Sequence, residues 1–546
     1  MNNVPCILIC AFSLAVNGWT RSSLPPVIEK DTILTSAGSP YYIEQNVSVS
    51  AGATLLVGPG VQFLFSQNTS ITNYGRFVIK GTKNENVEFT TLSEEVKWRY
   101  INNYGSLHAA YLNISNATRF VSSYGDTVIL ENCMSSNTFG TTGDDCIGVH
   151  NADRVLIKNC IISGNPASGK TDALDLDGIS GDTISGNTIS GFSDDGIDIG
   201  TNSQNIVIAG NIIDNCEMAI SIGETSTASL SNNLLIFCKG GIQSHTGAVV
   251  TADRNTLFGN DEGIRAYHNV TEETSGGTID VSNTIISHCG LQIYGVKENS
   301  QISFTYCLTD SLLLPGIGNI TGDPAFVNAE ENNFCLSPGS PAIDAGNPDN
   351  NHNGISYLDD PDDRDPDGSR LDMGYKPYFK PDLKIIEISP SNLCLIPDKY
   401  GEYSDWFLIY NCGDSSLNLN GYFLSDNAQD PFRHKISGNL LIQPGDTVIF
   451  HAGNQENPDI HHVSFKLSGE GEYLSISNPS GHLMDDIHFP MVPVNYIFKR
   501  VDLSNKWIYY TLPVMGDSSE YTGLSPEPLF TANLSLIHIS EPTRPY

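Results

Sequence analysis

The sequence is poor in basic residues and in clustered cysteines. Lys and Arg together number 28 against 62 Asp and Glu among 546 residues, which gives a formal net charge of −34. A surface of this sign repels phosphate backbones and anionic lipids, so the composition argues against nucleic-acid binding. The twelve cysteines include no Cys-x-x-Cys pair, which argues against a zinc site and against a dense disulfide framework.

Long apolar runs are also missing. The only extended one, residues 4–16, has 13 residues, too few to span a bilayer but enough for the apolar part of a signal peptide. Val16 and Gly18 are the small residues expected before a cut at Trp19. No Lys or Arg precedes the run, which leaves a mis-assigned start codon or a buried strand as alternatives. We predict a signal peptide over residues 1–18.

The last residues of the chain have a different character. Residues 534–546 resemble the in-frame translation of a sequencing adapter and are set aside from the fold. We therefore expect a truncated sequence whose natural chain continues beyond Asn533.

What the chain does contain is an internal repeat. A six-residue segment with apolar residues at alternate positions recurs, and its third residue steps by 27, 23, 23, 22 and 22 residues through 145–150, 172–177, 195–200, 218–223, 240–245 and 262–267. A period of this length with short strands and no helical 3.6-residue pattern predicts a β-solenoid. Alternation, as in Ile197, Asp198 and Ile199, places apolar side chains inside and polar ones outside.

A second series interleaves with this repeat, in which short β-branched stretches end at Asn132, Asn159, Asn187, Asn211, Asn232, Asn255 and Asn283. Asparagine tolerates the left-handed backbone of a sharp turn, and its amide can hydrogen-bond to an asparagine one rung away. Cys133 and Cys160 lie 27 residues apart, each after an Asn. This spacing predicts stacked buried thiols or, alternatively, a disulfide.

These rungs resemble the right-handed parallel β-helix of the pectin-lyase-like superfamily. Residues 41–61 resemble the first coils of such helices, and residues 322–326 and 340–346 resemble their closing turns. After Lys380 the Asn series stops and longer alternating strands with aromatic residues begin. Four motifs there, within 385–389, 405–411, 419–426 and 442–468, resemble a lamin-tail domain, an immunoglobulin-like β-sandwich. The expected fold class is all-β, a β-helix solenoid followed by this sandwich.

The outward position of the repeat predicts one surface column, formed by Gly148, Asp175, Asp198, Ser221, Gln243 and Arg265. Further carboxylates crowd its two acidic rungs, namely Asp172, Asp177, Asp194 and Asp195. Mutual repulsion should raise some of their pKa values unless a cation neutralises them. Such a cluster suits acid–base work on a glycosidic bond, or a Ca²⁺ ion that binds uronate. A merely solvated acidic face is the third interpretation.

The order of these residues is similar to the polygalacturonase succession Asn-Thr-Asp, Asp-Asp, Gly-His-Gly, Arg-Ile-Lys. Asp172, Asp194 and Asp195 match the carboxylates of that pattern. Met218 stands where the pattern has His, and Ala266 follows Arg265 where it has Ile-Lys. The resemblance implies Asp172, Asp194 and Asp195 as candidate catalytic residues, and the outward column adds Asp175 and Asp198. Arg265 is a candidate substrate contact.

An acidic loop gives a separate signal. Asp349, Asn351, Asn353 and Gly354, with Asp360 at the twelfth position, fit the ligand spacing of an EF-hand loop with Asp in place of the last Glu. A second run follows, formed by Asp363, Asp365 and Asp367. We predict possible Ca²⁺ ligands in both runs; the alternative is a solvated, turn-rich linker.

Together these features predict the following organisation: a signal peptide (1–18), first β-helix coils (25–100), the β-helix (101–348), an acidic linker (349–379), the lamin-tail domain (380–490), a trailing segment (491–533) and the adapter-like tail (534–546). We expect a monomeric bacterial protein, secreted or at the cell surface, that binds polysaccharide or surface glycan in a structural or adhesive role. The alternative is a lyase or glycoside hydrolase acting on an acidic polysaccharide. The missing His and Lys favour the first.

Overall fold

The computed structural model describes residues 13–16, 19–136, 145–165, 169–267, 276–294, 299–378, 381–413, 415–453, 459–479, 481–501, 503 and 506–511. They divide into two units, Met1–Tyr378 and Phe379–Tyr546. The predicted signal peptide falls mostly outside the described residues, although Ser13–Val16 forms a strand paired with Trp19–Ser23. The adapter-like tail lies wholly outside them. No helix in the described ranges is both long and apolar enough to cross a membrane.

In the first unit successive turns of the chain contribute strands to three sheets, which are parallel apart from one antiparallel pair at the start of the third. Sheet 1 contains Val27–Ile28, Val47–Val49, Ile71–Asn73, Ile101–Asn103, Val121–Ser123, Ile147–His150, Leu174–Asp177, Ile197–Gly200, Met218–Ile222, Gly240–His245, Glu262–Tyr267 and Leu291–Tyr294. Sheet 2 contains Thr32–Leu34, Thr54–Val57, Arg76–Lys80, Ser106–Ala110, Thr127–Glu131, Arg154–Lys158, Thr183–Ser185, Ile206–Ala209, Thr227–Ser231, Val249–Asp253, Thr278–Ser282 and Gln301–Thr305.

Sheet 3 begins with an antiparallel pair and is otherwise parallel. It contains Ser13–Val16, Trp19–Ser23, Tyr41–Ile43, Gln62–Phe65, Val87–Thr91, Leu112–Ser115, Met134–Ser136, Ile161–Ser163, Thr188–Ser190, Ile212–Asp214, Leu234–Ile236, Thr256–Phe258, Ile285–Ser287, Leu308–Thr309 and Ile320–Thr321. A hairpin follows, Phe326–Asn328 with Asn333–Leu336. The described helices are three short 3₁₀ turns, Ser36–Gly38, Ala329–Glu331 and Pro361–Asp363. The β-solenoid predicted from the repeat is therefore confirmed.

The inward residues of the repeat form the core of this unit. On sheet 1 the aligned positions are all fully buried, at Ile147, Leu174, Ile197, Ile220, Ile242 and Ile264. Burying one such side chain stabilises the fold by roughly 1.5–3 kcal/mol. Toward the N-terminus aromatic rings replace the aliphatic columns, and Phe63 stacks on Phe89 with ring centroids 4.5 Å apart.

The asparagines divide into two groups that the sequence analysis had merged. The left-handed backbone is confirmed at Asn132, Asn159, Asn232 and Asn283, whose φ angles lie between 47° and 56°. The amide ladder is formed one residue after the left-handed position of each turn, by Asn187, Asn211, Asn233 and Asn255. Each of the first three donates its Nδ2 to the Oδ1 of the next, at 2.9, 3.0 and 2.9 Å.

Cys133 and Cys160 continue this buried column toward the N-terminus. Both are free thiols and almost fully buried, and the backbone N–H of Cys160 donates to Asn187 Oδ1 at 2.8 Å. The structure therefore has the stacked thiols and not the alternative disulfide.

The second unit contains two main sheets. One has six strands in the order His462–Val463, Thr447–Ala452, Asp405–Asn411, Leu383–Ser389, Ile497–Arg500, Trp507–Tyr510; the other has four, His434–Lys435, Phe423–Ser425, Gly471–Ser477, Leu483–Pro490. A two-stranded pair, Leu417–Asn418 with Leu441–Ile442, is separate. Trp406 and Phe407 are fully buried in the core. The last two strands of the larger sheet come from the segment that the sequence analysis placed after the domain.

One buried ionic group distinguishes the second unit. The His462 side chain is 1% exposed and lies between two carboxylates, with Nε2 3.2 Å from Asp398 Oδ2 and Nδ1 2.5 Å from Asp459 Oδ1. Burial alone would raise the pKa of each carboxyl. Hydrogen bonds from backbone N–H groups and His462, and from Lys399 to Asp459, outweigh burial and lower both pKa values.

Candidate functional site

The predicted outward column lies on sheet 1 as one continuous row. Strand pairing joins Gly148 to Asp175, Asp175 to Asp198 and Asp198 to Ser221. The row continues through Gln243 to Arg265. Neighbouring strands are about 4.8 Å apart, so the carboxyl groups of Asp175 and Asp198 occupy adjacent rungs of a rigid surface.

A second set of carboxylates lies at the start of the same strands. Asp172, Asp194 and Asp195 each bring one carboxylate oxygen to within 4.8 Å of the other two, and all three are partly exposed. Backbone N–H groups fix the order, because Asp195 donates to Asp172 Oδ1 at 2.6 Å and Asp172 donates to Asp145 Oδ1 at 3.2 Å. We call Asp172, Asp194 and Asp195 the acidic cluster; it could hold a cation.

Burial and mutual repulsion keep these carboxyl groups protonated well above their ordinary range. Burial, with Asp195 and Asp198 nearby, raises the pKa of Asp172 to about 9. Burial and the charges of Asp145, Asp177 and Asp198 raise the pKa of Asp175 to about 8. At Asp198 burial raises the pKa to about 7 although a hydrogen bond from Ser221 opposes the shift. Burial also raises the pKa of Asp195.

Asp194 differs from its neighbours because a cation lies beside it. Its pKa is raised by burial, but the Lys170 ammonium, 3.5 Å from Asp194 Oδ1, acts in the opposite direction. The cluster therefore combines carboxyl groups that retain protons with one whose ionised form is stabilised by Lys170. Acid–base chemistry requires this combination.

The sequence analysis missed two members of the site. His150 Nδ1 lies 3.2 Å from Asp177 Oδ2, and His150, Asp175 and Asp177 form a second group that could hold a cation. Asp145 repeats the position of Asp172 and Asp195 one rung earlier. Both residues could have been found from the aligned hexapeptide. Its first residue, Asp145, and its last residue, His150, stack from turn to turn just as its fourth residue does.

An aromatic row follows the edge of sheet 1 and is interrupted beside the acidic column. The rings of Tyr74, Tyr104, Tyr124 and His150 stack with centroids 5.2, 6.1 and 5.0 Å apart, and the row resumes with His245 stacked on Tyr267. In the gap are Gly200 and Gly223, where an added Cβ would lie 2.7 Å from Asp177 Oδ1 and 2.4 Å from His245 Cε1. These atoms already fill the space beside both glycines, so the glycines let Asp177 and His245 pack closely against the sheet.

Arg265 reaches the acidic column only through other residues. It donates to Gln243 Oε1, and Gln243 Nε2 donates to Ser221 Oγ at 3.0 Å. Ser221 in turn hydrogen-bonds to Asp198. Arg265 also pairs with Glu262 at 3.3 Å. The predicted substrate contact is thus a hydrogen-bonded end of the row, three positions beyond Asp198.

A recess of about 290 Å³ adjoins the acidic cluster, on the side of Ser193 and Glu217. Its wall includes the exposed ring of Phe237, and Lys239 pairs with Glu217 at 3.4 Å. The recess offers an apolar ring and charged groups close to Asp194.

The structure separates the predicted loop ligands into two groups. Asn351 and Asn353 both direct Nδ2 at Asp360 Oδ2, at 2.9 and 2.6 Å, and Asp363 accepts from the backbone of the same segment. Asp365 instead accepts the N–H of Asp372 at 2.7 Å, and the exposed Asp367 accepts that of Ser369 at 3.0 Å. Asp349 Oδ2 accepts the N–H of Gly354 at 3.1 Å, so Asp349 belongs with the first group.

Two families match the chain. Residues 100–272 match the family described as right handed beta helix region, and residues 380–490 match the lamin tail domain. Together with the sheet topology, these matches confirm the predicted all-β fold class, a β-helix followed by a lamin-tail sandwich. The comparison with curated proteins gives no match.

Several solved structures are similar at low identity. The periplasmic alginate epimerase AlgG shares 12% identity over 50% of this chain and 84% of its own, with a TM-score of 0.33. Endopolygalacturonase I from Stereum purpureum, complexed with two galacturonate, shares 14% over 55% and 97%, with a TM-score of 0.28. The Dettilon tailspike protein shares 11% over 77% and 87%, with a TM-score of 0.24.

Proposed function

We propose that this chain, a β-helix region followed by a lamin tail domain, binds a polysaccharide along sheet 1 and hydrolyses glycosidic bonds at the acidic cluster. The observation that carries this proposal is the convergence of Asp172, Asp194 and Asp195 within 4.8 Å on an accessible face. Glycoside hydrolysis needs one carboxyl group that donates a proton and one carboxylate that activates water or attacks the sugar. Asp172 is the proton donor and Asp194 the ionised partner.

The protonation states support these roles. Asp172 retains its proton at neutral pH because its pKa is about 9, whereas Lys170 stabilises the Asp194 carboxylate. The raised pKa values of Asp175, Asp195 and Asp198 favour their protonated forms in the same region and so reduce the negative charge that an incoming polysaccharide meets. Protonated carboxyls also donate hydrogen bonds to sugar hydroxyls.

Hydrolysis fits the site better than β-elimination. A lyase must neutralise a uronate carboxylate while a base removes the adjacent proton. In the described residues Lys170 is paired with Asp194, and Arg265 is engaged by Gln243 and Glu262. Lys170 is thus occupied by a member of the cluster, and Arg265 is held by its own neighbours at the end of the row, so neither is free to neutralise a uronate carboxylate.

The shape of the face supports a chain running across the rungs. Asp175 and Asp198 are partly exposed on sheet 1, and the stacked rings that end at His150 and resume at His245 lie on either side of them along the rungs. Aromatic rings together with a few convergent polar groups are typical of sites that bind a large polar ligand. A secreted or cell-surface location remains our prediction, because that is where such polymers are met.

The test uses the full chain with neutral and acidic polysaccharides in parallel, and measures reducing ends and ultraviolet-absorbing unsaturated ends. We expect reducing ends from at least one class, and Asp172→Asn and Asp194→Asn should each lower the rate about 100-fold or more. The matched control is Asp280→Asn, an exposed Asp on sheet 2, which should react like the parent. Unsaturated ends in place of simple hydrolysis products would overturn the mechanism.

A second candidate function is binding without turnover, in the structural or adhesive role. Two observations favour it. Met218, buried on sheet 1, occupies the position of the His in the polygalacturonase pattern, and Arg265 is already engaged by neighbours. Under this function the parent releases no ends from any polysaccharide, yet retains one in a pull-down that Asp172→Asn weakens. That result would replace the hydrolase proposal.

A further inference from the structure

We propose that the acidic loop binds one Ca²⁺ ion between Asp349 and Asp363, and that the ion fastens this loop to the last rungs of the β-helix. Asn351, Asn353 and Asp360 would supply further ligands by exchanging the hydrogen bonds that both amides donate to Asp360 Oδ2 for contacts with the ion. All the groups that carry the argument belong to the first unit, and none belongs to the acidic cluster.

The central observation is a pair of buried carboxylate oxygens that lack partners. Asp363 is fully buried; its Oδ1 accepts the N–H groups of Asn350 and Asn351 at 3.0 and 3.1 Å. Its Oδ2 is buried and has no hydrogen-bond partner among the described residues. The same holds for Asp349 Oδ1, while Asp349 Oδ2 accepts from Gly354 at 3.1 Å. A buried carboxylate oxygen without a partner is costly, and a bound cation removes that cost.

No side-chain cation supplies the missing partner. Within the described ranges no Lys or Arg forms an ion pair with Asp349 or Asp363; the nearest basic residue in the chain, Arg364, donates to the carbonyls of Tyr357 and Leu358 at 2.5 and 2.6 Å. A mobile ion is therefore the remaining source of positive charge.

The ligand types select calcium. Asp349, Asn351, Asn353 and Asp360 occupy positions 1, 3, 5 and 12 of a twelve-residue loop, and position 6 is Gly354 with φ +82°. This spacing wraps oxygen ligands around one point, with glycine at the sharp turn. Carboxylate and amide oxygens in a flexible loop suit Ca²⁺, whereas Mg²⁺ demands a smaller octahedral shell and keeps its waters.

The loop is tied to the solenoid where the ion would bind. Asn350, the residue after Asp349, accepts from Asn283 Nδ2 at 2.7 Å, and Asn283 Oδ1 accepts the N–H of Asn347 at 2.6 Å. Asn350 also donates weakly to Asp253 at 3.5 Å. Asn283 and Asp253 belong to successive turns of the β-helix. An ion that orders the loop therefore also restrains these two turns through the hydrogen bonds of Asn350 and Asn347.

The experiment is a Ca²⁺ titration of the EDTA-treated full chain by calorimetry, together with its melting temperature. Because a ligand that binds only the folded state stabilises it, Ca²⁺ at a hundredfold excess over Kd should raise the melting temperature by about 5 °C. Asp363→Asn and Asp349→Asn should each abolish this binding and this rise. Asp367→Asn, a change in the same loop at an exposed carboxylate, should leave both as in the parent.

Asp172→Asn controls for Ca²⁺ at the acidic cluster, because it removes a carboxylate there and leaves the loop intact. We expect this variant to keep the rise in melting temperature. A parent that neither binds Ca²⁺ nor melts higher with it would overturn the proposal, and so would unchanged binding in both Asp363→Asn and Asp349→Asn. An equal effect of Mg²⁺ would overturn the assignment to calcium.

Discussion

The proton on Asp172 links the acidic cluster to the stability of the β-helix. Burial and neighbouring carboxylates raise its folded pKa to about 9, whereas an unfolded Asp titrates near pH ~4. Between these values only the folded chain binds this proton. The stability that the proton contributes is therefore fully present below pH ~4 and is lost as the pH rises toward 9. We expect Asp172→Asn, which cannot ionise, to gain stability relative to the parent across this window.

The measurement is the melting temperature of the β-helix transition of both proteins at several pH values from 5 to 9, in EDTA. The difference, variant minus parent, should increase with pH. Asp280→Asn should give a difference that does not change with pH. A constant difference for Asp172→Asn would show that Asp172 has an ordinary pKa in the folded chain.

Single residues show which parts of the site were predictable. The adjacency of Asp175 and Asp198 follows from alternation and repeat length alone, because stacking is a matter of register. The two kinds of asparagine were not separable, since Asn232 takes the left-handed turn and Asn233 joins the ladder. Which of two neighbours points inward depends on the exact turn. The unpartnered oxygen of Asp363 was not predictable either, because the burial of one side-chain atom leaves no pattern in the sequence.

The amide ladder is the element that holds consecutive turns together at one corner. Asn211 accepts from both the N–H and the Nδ2 of Asn187, each at 2.9 Å, and donates Nδ2 to Ile184 O at 3.0 Å. Asn211→Ala leaves these buried groups without partners. We expect the free energy of unfolding of the β-helix to fall by about 1–3 kcal/mol or more, measured by urea denaturation.

Asn159→Gly is the matched control for this change. Asn159 is exposed and has a left-handed backbone with φ 54°, a conformation that glycine adopts freely. Its replacement should change the free energy of unfolding by less than about 1 kcal/mol. Equal losses in both variants would mean that the ladder contributes no more than an ordinary turn residue.

Elements were predictable where they repeat and less so where they do not. Each hexapeptide became a strand of sheet 1 because the same pattern occurs at near-regular steps. In the second unit, Ile497–Arg500 pairs with Leu383–Ser389, a contact between segments more than a hundred residues apart. No local pattern marks such a pairing, so its place in the sheet came only from the structure.

At the scale of the whole molecule, the two units should respond oppositely to pH. The raised pKa values of Asp172, Asp175 and Asp198 destabilise the β-helix as the pH rises from about 4 to 9. The lowered pKa values of Asp398 and Asp459 stabilise the lamin-tail unit above pH ~4, and that stability is lost as the pH falls below it.

Scanning calorimetry of the full chain can separate these effects. We expect one transition that moves to lower temperature between pH 5 and 9, and another that moves to lower temperature as the pH falls below about 4. Asp172→Asn should flatten the first and leave the second unchanged. His462→Asn, which removes the shared partner of Asp398 and Asp459, should shift only the second. Transitions that move together at every pH would contradict this assignment.

The regular stacking of sheet 1 gives the β-helix a constant spacing from one turn to the next. Its rungs lie about 4.8 Å apart, a spacing that backbone hydrogen bonds set and side chains do not. Duplication of one 22- or 23-residue turn in the gene would lengthen the β-helix by one rung and leave the other rungs unchanged. Under the proposed function, such a duplication would change the length of polymer that sheet 1 spans, or move the acidic cluster along it, without redesigning the fold.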